Sequence, residues 1–338
     1  MDWQKEALVA LRNAIEEIET DGDWNGAILD AYHKNRWFEE AQVLQSIHQW
    51  RVSLSDENIN TWLLQYNLQR NPHNKHLGVI MAGNIPLVGM HDIIVGVIAG
   101  YHVLAKPSSD DAVLPKYWIQ KAAKYCDTWE KQVSFVEQLQ NLDVAIATGS
   151  NNSARYFSRY FQHIPHIIRN NRNSVAVLSG QESDAEFLAL GRDVFDYFGL
   201  GCRNVTHFLV PHGYDFTPLF QCWDIHFHSV INHNKYANNY EYHRAILLMN
   251  LDLHIDTGYL IAKENSRLYA PVGMLNYSFY KDISDAQATI NKWVDQIQCI
   301  VSSFTELESI PFGTTQQTNL NDYADGVDTL SWLLQMDH

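Results

Sequence analysis

The chain has 338 residues, which at roughly 100–200 residues per domain corresponds to about two domains. Lys and Arg number 24 against 39 Asp and Glu; the net charge of -15 argues against nucleic acid and anionic membrane as partners, since both need a positive patch. With 46% apolar and 19% charged residues the chain reads as globular, and its four cysteines, at 126, 202, 222 and 299, are too few and too scattered for a disulfide scaffold or a cysteine-based zinc site.

Residues 1–70 read as helices. Trp3, Leu8, Leu11, Ile15 and Ile18 recur at helical spacing, and Ser55 followed by Asp56 and Glu57 has the form of a helix start. This segment is expected to be a layer packed on a sheet, without chemistry of its own. The first 19 residues lack the basic start and apolar centre of a targeting signal. The most apolar region, 78–105, is broken by Asn84, Pro86, His91 and Asp92, too short a run to span a bilayer. A reduced, cytoplasmic protein with no membrane insertion is therefore expected.

From residue 77 the rhythm changes. Strands are predicted at 77–83, 101–106, 133–139 and 143–150, with helices at 88–99, 110–125 and 151–161. Such alternation implies βαβ units and a parallel sheet, whose ligands bind at the carboxyl ends of the strands. That directs attention to Gly83-Asn84, Lys106-Pro107-Ser108 and Gly149-Ser150-Asn151. A second run follows: strand 174–180, helix 184–198, the turn Gly199-Leu200-Gly201-Cys202, and strand 205–211. Later come strands at 257–264, 269–279 and 298–303, a helix at 284–295, and a helical tail from 321. The predicted fold class is α/β: two α/β domains behind an N-terminal helical segment. Their bounds are 1–172 and 173–310, with a tail, 311–338, returning to the first domain.

Cys202 stands in a glycine-flanked turn between a helix and a strand. A thiol there is either a nucleophile, its own N–H helping to form an oxyanion site, or a small apolar residue in a tight turn. Cys126, Cys222 and Cys299 lie in helix or strand patterns and read as core packing. Asn84 is either an amide donor to an oxyanion or a turn cap. Lys106 either meets a ribose or phosphate or is a solvated surface lysine. Histidines at 207, 212, 226, 228 and 233 cluster in sequence; an HxH on a strand would put two rings on one face, but no acid or cysteine completes a metal set, and no metal is expected. One of them is a possible proton donor.

In chain order these segments resemble the aldehyde dehydrogenase superfamily. They look most like its acyl-CoA reductase branch, the family of the fatty-acid reductase that supplies aldehyde in bacterial bioluminescence. Ala82-Gly83-Asn84-Ile85-Pro86 is similar to the segment whose Asn forms half of the oxyanion hole. Lys106-Pro107-Ser108 resembles the Lys-Pro-Ser at the adenosine ribose, and Thr148-Gly149-Ser150 the Thr-Gly-Ser of the cofactor site. Gly201-Cys202 resembles the turn carrying the nucleophile, Tyr269-Ala270-Pro271-Val272 its Phe-Gly-Pro-Val, and Pro311-Phe312-Gly313 its Pro-Phe-Gly. The likeness spans about 55–335. It implies a cofactor-binding first domain contacting NADPH, or NADH, through Lys106, Ser108, Gly149 and Ser150, and a catalytic second domain with Cys202 and Asn84 as the catalytic pair. The implied reaction is reduction of an acyl-CoA or acyl-protein thioester to an aldehyde. The partner classes it admits are a homo-oligomer or an acyl-donor protein. The superfamily's hydrolysing members place a water-activating glutamate where this chain has Ile168-Arg169-Asn170-Asn171-Arg172, and a ribose-binding glutamate where it has Ser266-Arg267-Leu268. A hydrolytic aldehyde dehydrogenase and a catalytically inactive scaffold are the alternatives.

Overall fold

Four helices open the chain: α1 (Asp2–Glu16), α2 (Gly22–Lys34), α3 (Glu40–Ser53) and α4 (Asp56–Leu63). The apolar positions of α1, Ala7, Leu8, Leu11, Ala14 and Ile15, are all buried, as their helical spacing requires. Ile18 lies outside the described residues, which are 2–17, 22–68 and 72–336 of this computed structural model. Ser55 caps α4, its hydroxyl accepting from Asn58 N at 3.4 Å. Three buried indoles fasten the layer. Trp24, Trp118 and Trp129 donate Nε1–H to the carbonyls of Ala14, Leu11 and Ala7 at 3.1, 2.9 and 2.8 Å. An indole brings a large apolar area and one donor that must find an acceptor, and α1 supplies all three.

A five-stranded parallel sheet follows: β1 (His76–Ile80), β2 (His102–Lys106), β3 (Val133–Phe135), β4 (Val144–Thr148) and β5 (His166–Arg169), in the order β3-β2-β1-β4-β5. Its connecting helices are α5 (Met90–Ile98), α6 (Val113–Ala122), α7 (Thr128–Gln132) and α8 (Asn151–Tyr160). Strand order reverses between β1 and β4, a topological switch point. The strand expected over 133–139 stops at Phe135, because β3 is an edge strand with β2 as its single neighbour. β5, which is not among the strands predicted from the sequence, pairs with β4 from Ala145–His166 to Thr148–Arg169. Cys126, expected inside a helix, lies in the turn between α6 and α7.

The second sheet comprises β6 (Asn173–Val177), β7 (Val205–Pro211), β8 (Ile255–Asp256), β9 (Ile261–Glu264), β10 (Met274–Tyr280) and β11 (Ile297–Ser302), in the order β11-β6-β7-β10-β9-β8, parallel except for β8. With it go α9 (Asp184–Phe195), α10 (Thr217–Phe227), α11 (Asn234–Met249) and α12 (Ile283–Lys292). The predicted helix 184–198 ends at Phe195, because Tyr197 and Phe198 turn left-handed, φ 52 and 58. His226 lies in α10 and His228 in the 3-10 turn after it, so the supposed HxH strand does not exist.

The chain closes with α13 (Thr329–Gln335), shorter than the helix expected from 321 because Asp325 takes a positive φ of 61. Residues 1–171 and 318–338 form one unit and 172–317 the other. The second unit thus runs past the expected 310, because Ile310 bridges Val301 and Asp193 binds the backbone at 313 and 315. Among the described residues no helix is long and apolar enough to cross a membrane.

Candidate functional site

In the first unit the predicted segments stand at the carboxyl ends of neighbouring strands. Lys106, the last residue of β2, is exposed. Ser108 caps the short 3-10 turn behind it, its Oγ accepting from Asp110 N at 3.3 Å. Gly83, beyond β1, presses on this turn: a Cβ there would lie 2.5 Å from the Cβ of Ser108, so only glycine lets the two loops close. Asn84 is exposed. At the end of β4, Gly149 N donates to Arg169 O at 3.2 Å, and Ser150 caps the ten-residue α8 by accepting from Ser153 N at 3.2 Å. Lys106, Ser108, Gly149 and Ser150 therefore flank the switch point of an open parallel sheet, where such sheets hold ligands.

Two acids in this unit had no sequence signal for what they do. Leu87 takes φ 60, a left-handed backbone that a branched side chain rarely adopts. Its N–H donates to Asp111 Oδ2 at 2.7 Å, while Asp111 Oδ1 is buried and meets no hydrogen-bond partner. Burial pushes the Asp111 carboxyl up to about 7, against the pull of the Leu87 N–H. The second acid is Asp92, which receives Arg169 Nη1 at 2.5 and 2.6 Å, with Arg169 Nη2 reaching Thr329 Oγ1 at 2.9 Å. The stretch 168–172, which has no carboxylate of its own, thus carries a buried guanidinium bound to Asp92.

The second unit gathers its predicted segments at the opposite, amino ends of its central strands. Cys202, partly exposed, sits in the turn that enters β7. Beside it, the first residues of β7 hold the segment before β10. Thr206 Oγ1 donates to Leu268 O at 3.0 Å, and His207 Nδ1 lies 2.9 Å from Arg267 O. Asn276 Nδ2 donates to Arg267 O and Tyr269 O at 2.9 and 2.8 Å. The 311–315 segment joins the same end through Asp193, whose Oδ2 accepts from Gly313 N at 2.6 Å and whose Oδ1 accepts from Thr315 N at 3.1 Å. Gly201-Cys202, Tyr269–Val272 and Pro311–Gly313 are thus brought to one end of one sheet.

Other candidates in this unit are shifted by burial or bonded within their own loop. Burial pushes His207 down to about 4, its Nε2 lies 2.9 Å from Ser278 Oγ, and the ring is neutral rather than a proton donor at neutral pH. Burial raises Cys299 to about 11, against the pull of Arg203, and it is a poor nucleophile. Burial followed by Asp184 also raises Cys222. Glu182 folds onto its own loop, accepting from Ser179 N, from Ser179 Oγ at 2.9 Å and from Gly180 N.

No protein-family model matches the sequence, and no curated protein is similar to it. Solved structures do match. Aldehyde dehydrogenase 21 from Physcomitrella patens, in complex with the product succinate, is 9% identical with a TM-score of 0.67, over 98% of this chain and 84% of that one. An aldehyde dehydrogenase C mutant from Pseudomonas syringae, complexed with NAD+ and octanal, is 13% identical with a TM-score of 0.65, over 90% of this chain and 73% of that one. A Mycobacterium tuberculosis aldehyde dehydrogenase complexed with NAD+ is 13% identical with a TM-score of 0.59, over 90% and 74% of the two chains. The chain therefore has the aldehyde dehydrogenase fold.

Proposed function

We propose that this protein uses NADPH to reduce an acyl-CoA or acyl-protein thioester to an aldehyde, through an acyl-Cys202 intermediate. The observation that carries the reading is the Cys202 turn. It is a glycine-flanked thiol at the mouth of β7, preceded by two left-handed residues, at the sheet end where Thr206 holds Leu268 O and Asp193 holds Gly313 N. Strained backbone of this kind, at about 1–3 kcal/mol per residue, persists where the surroundings hold it and is concentrated at functional sites.

The Cys202 thiolate attacks the thioester carbonyl, and the Asn84 amide and Cys202 N–H are assigned to the resulting oxyanion; one such donor is typically worth ~10²–10³ in rate. The C–S bond to CoA then breaks, leaving an acyl-cysteine. When bound, the nicotinamide supplies the hydride that turns this thioester into aldehyde and frees the thiolate. The strand ends of the first unit fit a dinucleotide. Lys106 is exposed to receive a phosphate or ribose, Ser108 and Ser150 offer hydroxyls, and α8 begins there. Of the two acids near this strand end, Asp111 is turned inward onto Leu87 N while Asp110 is exposed, so the preference for NADPH over NADH rests on Lys106.

The test is acyl transfer without reductant. Acyl-CoA alone is expected to add one acyl group to Cys202, and Cys202→Ala is expected to lose both this adduct and aldehyde formation while keeping NADPH binding. Acylation of Cys222 or Cys299 instead, seen by peptide mass mapping, refutes the assignment.

A further inference from the structure

The second unit contains a closed circuit of hydrogen bonds that runs around Cys202. It begins at Asp193, 1% exposed near the end of α9, whose carboxylate accepts from Gly313 N at 2.6 Å and Thr315 N at 3.1 Å. The carbonyl of Thr315 accepts from Arg203 Nη1 at 3.5 Å, the longest link. Arg203 is followed by Asn204, fully buried, which leads back to the start: its Nδ2 donates to the Asp193 carbonyl at 3.1 Å and to the Asp196 carbonyl at 2.8 Å. Asn204 Oδ1 accepts from Gly201 N at 2.8 Å. Gly201 and Arg203 are the two chain neighbours of Cys202: the circuit holds Gly201 by its backbone N–H and Arg203 by its guanidinium.

The parts are chosen for this geometry. A buried carboxylate is costly unless hydrogen bonds meet it, and here two backbone N–H groups do, in charge-assisted bonds. Gly313 allows the approach, with φ +79 and a position where a Cβ would come 2.9 Å from that of Ala189 on α9. Tyr197 and Phe198, both left-handed, lie inside the span that Asn204 ties to Asp193 and Asp196, so the same circuit holds their strain.

We propose that Asp193 is a positioning residue for Cys202: its carboxylate holds the 313–315 backbone on which the Arg203 side chain rests, and its carbonyl receives Asn204, whose Oδ1 takes Gly201 N and whose backbone N–H takes Gly201 O at 3.1 Å, the peptide group that carries the N–H assigned to the oxyanion. The proposal rests on Cys202 being the nucleophile. A displacement of about 1 Å at such a centre can cost ~10² in rate. Acyl transfer needs the thiolate and the N–H in register, whereas alkylation by iodoacetamide needs the thiolate alone.

The experiment uses Asp193→Asn, which keeps the size of the side chain but turns a donor towards one of the two N–H groups. Hydrogen exchange in peptides covering 196–204 and 311–317 is expected to quicken together, about tenfold, with α10 unchanged. Acylation of Cys202 by an acyl-CoA is expected to fall 10- to 100-fold, and its alkylation to change less than threefold. Faster exchange confined to 311–317, loosening that spreads to α10, or acylation and alkylation falling equally would overturn the proposal. If Asp193→Asn does not fold, Arg203→Gln removes one link and should give the same pattern at about threefold; no change in either segment refutes it. If wild-type Cys202 is not acylated at all, the thioester reading fails, and Asp193 stands or falls on whether the two segments loosen together.

Discussion

Replacing Asp111 by asparagine is expected to reverse a stability difference between low and high pH. In the unfolded chain this carboxyl releases its proton near 3.8, and in the fold near 7, because burial disfavours the charged form. Between those values the folded chain holds more protons than the unfolded one. Stability from this group is therefore full below about pH 4 and lost as pH rises through 7. At 1.36 kcal/mol per pH unit the ceiling is on the order of 4 kcal/mol. Asparagine keeps an acceptor for the Leu87 N–H but puts a buried NH2 where Oδ1 has no partner, at a cost of about 1–3 kcal/mol. The wild type should thus be the more stable below about pH 4 and the variant the more stable at pH 8, by about 1–3 kcal/mol in each direction. The assay is urea unfolding of both proteins from about pH 3.5 to 8. Asp193, raised to about 6 by burial, and His207, lowered to about 4, titrate in the same range but are common to both proteins, so their contributions cancel in the difference. A difference that stays constant across the range would show that the Asp111 carboxyl is not destabilised by burial.

The Arg169–Asp92 pair gives a second stability test. Arg169→Met alone should cost about 3–5 kcal/mol by leaving a buried carboxylate without its cation, and adding Asp92→Leu should recover most of that; additive losses in thermal melts would refute it. At matched concentrations NADPH is expected to turn over faster than NADH, since Lys106 is exposed at the end of β2 and Asp111 faces inward, leaving Asp110 as the exposed acid of that turn. Equal or better turnover with NADH contradicts this. In the oxidative direction, aldehyde with NADP+ and CoA should give the acyl-CoA, and free acid should form slowly, because Arg169 rather than an acid occupies the end of β5. Rapid free-acid formation without CoA would make the protein a hydrolytic aldehyde dehydrogenase.

The alternation of strands and helices was legible in the sequence because β1, β2 and β4 are short apolar runs ended by a glycine, a lysine or a Gly-Ser pair. A buried parallel strand needs side chains that fill both faces, and its end needs a residue that turns or binds. Strand β7 reads off directly as Val205–Pro211, and Ser55 and Ser150 announce the helices they cap. The motif segments at the strand ends were equally visible, since each is a local arrangement of a few residues.

What the sequence could not show is which acids and amides hold those segments in place. Asp111 grips a backbone N–H 24 residues away, and Asp193 grips one 120 residues away. Neither pairing leaves a periodic trace, because a single carboxylate on a helix end looks like any solvated acid until the fold buries it. The left-handed turns at Leu87, Tyr197 and Phe198 were invisible for the same reason: local propensity opposes them, and only surrounding tertiary bonds stabilise them. The direction of the two strand-end clusters was also decided by tertiary structure. Chain order puts Cys202 before a strand and Gly83, Lys106 and Gly149 after theirs, but only the pairing of β7 with β10 and β6 brings 267–272 beside the thiol turn at the sheet's amino end.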